Sequence, residues 1–367
     1  MGLPSSTEEG LRELVYKDTY SDLPDYLQGF AYTVAVMQDP ESIERIAYEL
    51  ALDNLEEGVR YIEVRYAPQL HIHEHFHAED VVSAACRGLE RAKKEHNAGE
   101  EVAAGRDIPF EYGLILCALR YFNSDMSWYY KSLFNLMSYA VEKRVYSMAS
   151  LEVARLAESL AHEKGLPVVG FDLAGAEAGF PADDHREAFQ YAHDHFIRKT
   201  VHAGEAYGPE SIFQAITDCH ANRIGHGTHL FATDRIHGRA AGDKEAYVRY
   251  LAEYIAGQRI TLEVCLTSNL QTLPSLESAA SHPLRQMLDR NLSVSICTDN
   301  RLVSNTSVCR ELELAARELD LTPKTFRNIV VAGFKGSFFP GNYVSKRAYV
   351  RTFLDRYEFL EQQYLTV

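Results

Sequence analysis

The feature of this sequence that most restricts its fold is an alternation. Short runs rich in β-branched and apolar residues, at 60–67, 111–118, 167–173, 199–202, 223–226, 260–265 and 292–298, are separated by longer stretches of helical spacing. Those stretches lie at 42–57, 78–95, 127–164, 209–220, 243–256, 282–290 and 308–319. Strands alternating with helices make parallel βαβ units, because a parallel neighbour is reached only through a crossover. Polar residues gather where the strands end: Arg120 after the second, Asp172 and Gly175 at the third, His202 and Glu205 after the fourth. His226 follows the fifth, Asn269 the sixth, and Asp299 with Asn300 the seventh. A barrel brings the C-terminal ends of all its strands to one mouth, whereas a doubly wound open sheet gathers its site at one switch point. The pattern therefore predicts an α/β fold, a TIM (β/α)8-type barrel, with the open sheet as the alternative. Seven strands are visible and a barrel of this type has eight. The first 40 residues read as loop and helix without an apolar β run, so the first strand is expected to be missing.

Composition narrows the function. The chain has 367 residues, 46% of them hydrophobic, enough core for one barrel domain over 1–367. Lys and Arg number 37 against 52 Asp and Glu, a net charge of -15. An acidic surface repels phosphate backbones, which argues against a nucleic-acid partner and leaves a small neutral substrate open. No apolar run approaches the ~18 residues that a membrane span needs. Cys86, Cys117, Cys219, Cys265, Cys297 and Cys309 form no C-x-x-C pair, and several lie in apolar strand runs. That usage predicts a reducing cytoplasm rather than a disulfide framework. Gly2 and Ser6 fit a short myristoylation pattern, but Pro4 interrupts it and the pattern is common by chance. The oligomeric state is not indicated.

Three segments carry candidate chemistry. Segment 199–205, Lys-Thr-Val-His-Ala-Gly-Glu, sends a histidine off a strand and a carboxylate three residues later, with Gly204 allowing a tight turn. Segment 223–227, Arg-Ile-Gly-His-Gly, flanks a histidine with glycines at a strand end. Segment 293–300, Ser-Val-Ser-Ile-Cys-Thr-Asp-Asn, reads as a buried strand ending in a carboxylate. Each alone also fits a structural role: a core histidine, a glycine turn, a helix N-cap. Together they end nearby strands and converge, offering His and Asp as zinc ligands and Glu and His as proton carriers.

With these segments on the page, the chain resembles the adenosine deaminase family from about Gly2 to the C-terminus. The matching stretches are Tyr-Ile-Glu-Val-Arg-Tyr-Ala-Pro at 61–68, Leu-Ile-Leu-Cys-Ala-Leu-Arg at 114–120 and Gly-Phe-Asp-Leu-Ala-Gly at 170–175. The His-Ala-Gly-Glu, Ile-Gly-His-Gly and Cys-Thr-Asp-Asn segments match in order and spacing as well. The resemblance implies a TIM barrel that uses Zn2+ to remove the amino group of a 6-aminopurine by hydrolysis. It implies adenosine or deoxyadenosine as substrate, with another 6-aminopurine such as adenine as the alternative. His202 and Asp299 resemble zinc ligands. His226 resembles the residue that orients and deprotonates the attacking water, and Glu205 the acid that protonates the purine ring. The Gly175 backbone and Asn300 resemble contacts to the ring.

Two departures stand out. Many members carry a second Asp at the position of Asn300. An amide donates a hydrogen bond at any pH, where a carboxyl donates only when protonated, so the change alters the pH profile or the base selected. The family's first strand also ends in H-x-H, two further zinc ligands, and nothing upstream of Leu3 supplies them. A truncated or misassigned start is the expected explanation, and a non-catalytic purine-binding descendant is the rival one. The alternating histidines at 70–77 copy the motif superficially. They offer His71 or His73 as replacement ligands, an adventitious surface metal site, or an exposed loop.

The remaining polar residues receive structural readings. Arg120 and Asp172 are expected to pair, Ser268 and Asn269 to cap the next helix or equally to touch substrate, and His229 and His237 to be solvated. Trp128 and its neighbouring tyrosines are expected to cover helix surfaces.

Overall fold

The computed structural model describes residues 5–14, 16–238 and 242–364. Gly2, on which the myristoylation pattern rests, lies outside them. Every expected run forms a strand: β1 Tyr61–Tyr66, β2 Glu111–Leu119, β3 Val168–Ala174, β4 Arg198–Ala203, β5 Arg223–His226, β6 Thr261–Val264 and β7 Ser293–Ile296. Each strand runs parallel to the next, and their order in the sheet is their order in the chain. An order that never reverses rejects the doubly wound alternative, which needs a switch point.

The sheet curls into a half-barrel with β1 and β7 at its edges. Ion pairs prove the curvature. Arg65 on β1 reaches Glu263 on β6 at 2.5 Å and Asp172 on β3 at 3.4 Å. Glu63 on β1 pairs with Arg223 on β5 at 2.6 Å. A flat sheet would hold β1 and β6 about 24 Å apart, five strand spacings of ~4.8 Å. Among the described residues no strand precedes β1. The concave side is thus polar, while the convex side packs under helices. β2, buried along all but its ends, shows why its sequence is a continuous apolar run: a parallel strand covered on both faces has no face to leave polar.

The N-terminal stretch forms short helices, Glu8–Leu14, Leu23–Leu27 and Phe30–Ala35. Tyr20, Leu23 and Tyr26 cluster with Val303. The Tyr20 N–H donates to the Gln271 carbonyl at 2.9 Å, so this stretch lies over the chain that leaves β6 and β7.

Some expectations are corrected. The stretch 127–164 is two helices, Trp128–Leu136 and Glu142–Glu158, followed by a π turn at Ser159–Glu163. Apolar spacing resumes in phase after the break, which hides a turn whose Tyr139 is fully exposed. Within it Trp128 is exposed as expected, but Tyr130 is buried and stacks on Phe122. Arg120 and Asp172 do not pair. The sheet register sets Asp172 beside Cys117, leaving Arg120 beyond the strand end. The Arg120 guanidinium instead donates to the carbonyls of Phe180 at 2.8 Å and His202 at 2.5 Å. Helices at Arg186–Asp194, Leu266–Thr272, Pro323–Gly336 and Tyr343–Tyr364 were not expected from the spacing. All six cysteines are free. Among the described residues no helix is long and apolar enough to cross a membrane.

Candidate active site

The site is assembled by strand register. Ladder pairing puts His202 of β4 beside Gly225 of β5, and Ala203 beside His226. A Cβ on Gly225 would come within 3.2 Å of the His202 Cα, so glycine there permits the close approach. The His202 and His226 rings then lie 5.2 Å apart between centroids. His226 and Asp299 both occupy the left-handed backbone region, with φ of 64° and 54°. That conformation costs a side-chain-bearing residue roughly 1–2 kcal/mol, and such strain persists where surroundings dictate the geometry. Three expected residues meet directly. His226 Nε2 lies 3.5 Å from Glu205 Oε1, and the ligand atoms of His226, Cys265 and Asp299 all fall within 4.8 Å of one another.

Electrostatics divides the carboxyls into two kinds. Asp172 is fully buried, and burial works to raise its pKa. The charges of His202 and Arg65 outweigh burial and hold the carboxyl well below the usual range. In return Asp172, 3.1 Å from His202 Nδ1, raises the pKa of that histidine against its own burial. A carboxylate on Nδ1 fixes the ring and leaves Nε2 for a ligand, the usual arrangement of a metal-binding histidine. Glu205 is the other kind: burial raises its pKa despite His226 and His202 nearby. A carboxyl that keeps its proton can act as an acid.

Neighbours that sequence reading left aside hold these groups. Glu177 accepts hydrogen bonds from the backbone of Gly204, Glu205, Ala206 and Tyr207, at 2.8, 3.0, 2.7 and 2.9 Å. Ser268 donates to Asp299 Oδ2 at 2.8 Å, and Asn269 meets His226 Nδ1 at 3.1 Å. The sequence left these two residues open between capping the next helix and touching substrate. Their placement just past β6 was the available signal, since the ends of β4, β5 and β7 carried the candidate chemistry. Cys265 also reaches the site, although a lone cysteine in an apolar run gives no such hint.

The expected ring contacts are placed but differently prepared. Gly175 closes β3 with φ of 93°, a conformation that suits glycine. The Asn300 amide nitrogen already donates to Asp299 Oδ1 at 2.7 Å and to the Tyr26 hydroxyl at 3.1 Å. His71 and His73 stay apart from the cluster. Their rings donate to the carbonyls of Met37 at 2.8 Å and Gln38 at 3.0 Å, and His71 is buried, so the stretch is not simply an exposed loop. His237 is exposed as expected, but His229 is part-buried and its pKa falls to about 4 through burial.

The Adenosine deaminase family profile matches residues 1–348. The chain belongs to the adenosine deaminase family. It is an adenosine deaminase-like aminohydrolase. It is 35% identical to an adenosine deaminase of Mycobacterium avium over 342 residues, covering 92% of this chain and 83% of that one. Its fold is similar to that of an adenine deaminase from Arthrobacter aurescens, with a TM-score of 0.72, 22% identity, and coverage of 98% and 91%. A Burkholderia ambifaria amidohydrolase with bound Zn gives a TM-score of 0.65 at 20% identity, covering 89% of this chain and 76% of that one.

The adenosine deaminase family implies zinc; His202 and Asp299 are two donors of the kind zinc takes, while among the described residues no H-x-H strand supplies the further ligands that a catalytic zinc site has. His202 has a carboxylate fixing one nitrogen, and Asp299 keeps acceptor capacity beyond its two hydrogen bonds.

Proposed function

We propose that the chain removes the amino group of adenosine or deoxyadenosine by hydrolysis, giving inosine or deoxyinosine, with zinc as cofactor and the cytoplasm as its compartment. The observation that carries this reading is a buried Glu205, its pKa raised, 3.5 Å from His226 and beside the candidate ligands. Zinc, when bound, lowers the pKa of water to about 7 and so supplies a nucleophile near neutral pH. His202 and Asp299 would hold it, and His226 orients the attacking water. As the water oxygen adds to the carbon bearing the amino group, Glu205 gives its proton to the adjacent ring nitrogen. The carbon–nitrogen bond then breaks and ammonia departs. One water proton ends on the ring nitrogen by way of Glu205, and the other leaves with the amine. The Gly175 backbone and the Asn300 amide meet the purine ring.

These residues face the base and the reaction centre rather than a sugar, so adenine is the second substrate to weigh, in line with the Arthrobacter neighbour. A panel of adenosine, deoxyadenosine, adenine and N6-modified nucleosides, followed by ultraviolet absorbance, decides between them. Preference for the nucleosides supports the reading. Preference for adenine replaces it with the alternative.

A further inference from the structure

Behind the reaction centre a buried chain of hydrogen bonds runs from Leu284 through His282 and Asn269 to His226, and it can be read in only one direction. It starts at an unambiguous donor. The backbone N–H of Leu284 points at His282 Nδ1 at 3.0 Å, so that nitrogen presents a lone pair. Burial pushes the His282 pKa down to about 3, so the ring is neutral and its single hydrogen sits on Nε2. His282 Nε2 lies 3.2 Å from one end of the Asn269 amide, and that end must be the oxygen. The Thr228 hydroxyl, 3.1 Å from the same oxygen, donates to it as well. The other end of the amide is therefore the NH2 group, and it faces His226 Nδ1 at 3.1 Å. An NH2 group donates and cannot accept, so His226 Nδ1 must be the acceptor. The remaining hydrogen of a neutral His226 is then on Nε2, the nitrogen 3.5 Å from Glu205 Oε1.

Burial gives the chain its authority. Asn269 is 0% exposed, His226 and His282 2%, and Thr228 4%. No solvent is at hand to satisfy a reversed amide or a swapped tautomer, so each mismatch would leave a buried polar group without a partner.

We propose that Asn269, oriented by His282 and Thr228, is a positioning residue that fixes His226 as the tautomer with its hydrogen on Nε2. His226 then presents an N–H toward Glu205, where the resemblance to the family led us to expect a base that takes a proton from water. It orients by donating, and the carrying of protons falls to Glu205. The consequence for the reaction rests on the purine deaminase reading; the tautomer does not.

The test is nuclear magnetic resonance of protein labelled with 15N-histidine, with and without added zinc. Long-range 1H–15N correlations show which ring nitrogen is protonated, and H226Q identifies the His226 signals. The expected wild-type result is a hydrogen on Nε2 and a bare Nδ1. In Asn269→Asp, an acceptor replaces the donor, so a hydrogen moves onto Nδ1. The same variant is expected to lose on the order of 10²-fold in kcat with a smaller change in KM. A wild-type hydrogen on Nδ1, a doubly protonated ring or a metal on Nε2 overturns the proposal, whether or not the variant folds. An unchanged tautomer in Asn269→Asp also overturns it. The expected tautomer in a protein that deaminates no purine supports this inference and overturns the proposed function instead.

Discussion

The carboxylate of Glu177 accepts the backbone N–H of Glu205 at 3.0 Å, and so one buried acid holds the loop that presents another. The same oxygen takes the N–H groups of Ala206 and Tyr207, while the other takes Gly204 and the Ser211 hydroxyl. Five donors converge on a group that is 4% exposed. Glu177→Gln turns one of those oxygens into an NH2 that faces donors. The expected cost is about 2–3 kcal/mol in denaturant unfolding, with a loss of turnover because Glu205 is no longer placed.

The same residue sets an acid limit. Burial tends to raise the Glu177 pKa, but Arg120, Ser211 and the loop amides bring it below its ordinary value of 4.5. A carboxyl with a lowered folded pKa contributes stability above its unfolded value, and that contribution is lost as the pH falls through the folded one. Asp172 acts in the same direction. Unfolding free energy measured from pH 7 downward is expected to start falling near pH 4.5 and to fall less steeply in Glu177→Gln.

Asp172 orients His202, and its loss reads out on the metal. Asp172→Asn removes the carboxylate 3.1 Å from His202 Nδ1. Zinc affinity, from competition with a chromogenic chelator, is expected to weaken about 10–100-fold. An unchanged affinity would show that His202 is not a ligand.

Asn300 predicts a difference in pH response. Its amide donates at every pH, whereas Asn300→Asp donates only when protonated. The variant is expected to keep activity at low pH and to lose it progressively as the pH rises, in a comparison of kcat/KM from pH 5 to 9. Equal profiles would mean that Asn300 does not meet the ring, in keeping with its bonds to Tyr26 and Asp299.

Much of this was legible beforehand because strands and strand ends leave local marks. The run at β2 is apolar from Tyr112 to Leu119, since both faces of a parallel strand are covered, and His202, His226 and Asp299 sit where glycine or strand termination makes a turn. What was not legible depends on tertiary register. Arg120 and Asp172 looked like partners because both follow strands, yet a three-residue offset in the ladder gives Asp172 to Arg65 and His202. Glu177 lies in a loop, 28 residues from Glu205, and nothing local shows that it will accept that backbone. Asn269 carries the signature of a helix start, and only the fold turns its amide to His226. The helix at Tyr343–Tyr364 escaped notice because a single described residue of it, Phe353, is buried, leaving almost no apolar stripe to read.

The central claim is that Glu205 is the acid of a zinc-supported purine deaminase. The direct measurement is the loss of ultraviolet absorbance as adenosine becomes inosine, on zinc-loaded wild type and Glu205→Gln, from pH 5 to 9. The variant is expected to lose about 10²–10⁴-fold in kcat with little change in KM. Wild-type kcat/KM is expected to hold at low pH and fall as Glu205 ionises above its raised pKa. Equal turnover by the two proteins, or no deamination of any 6-aminopurine by the zinc-loaded wild type, would contradict the account.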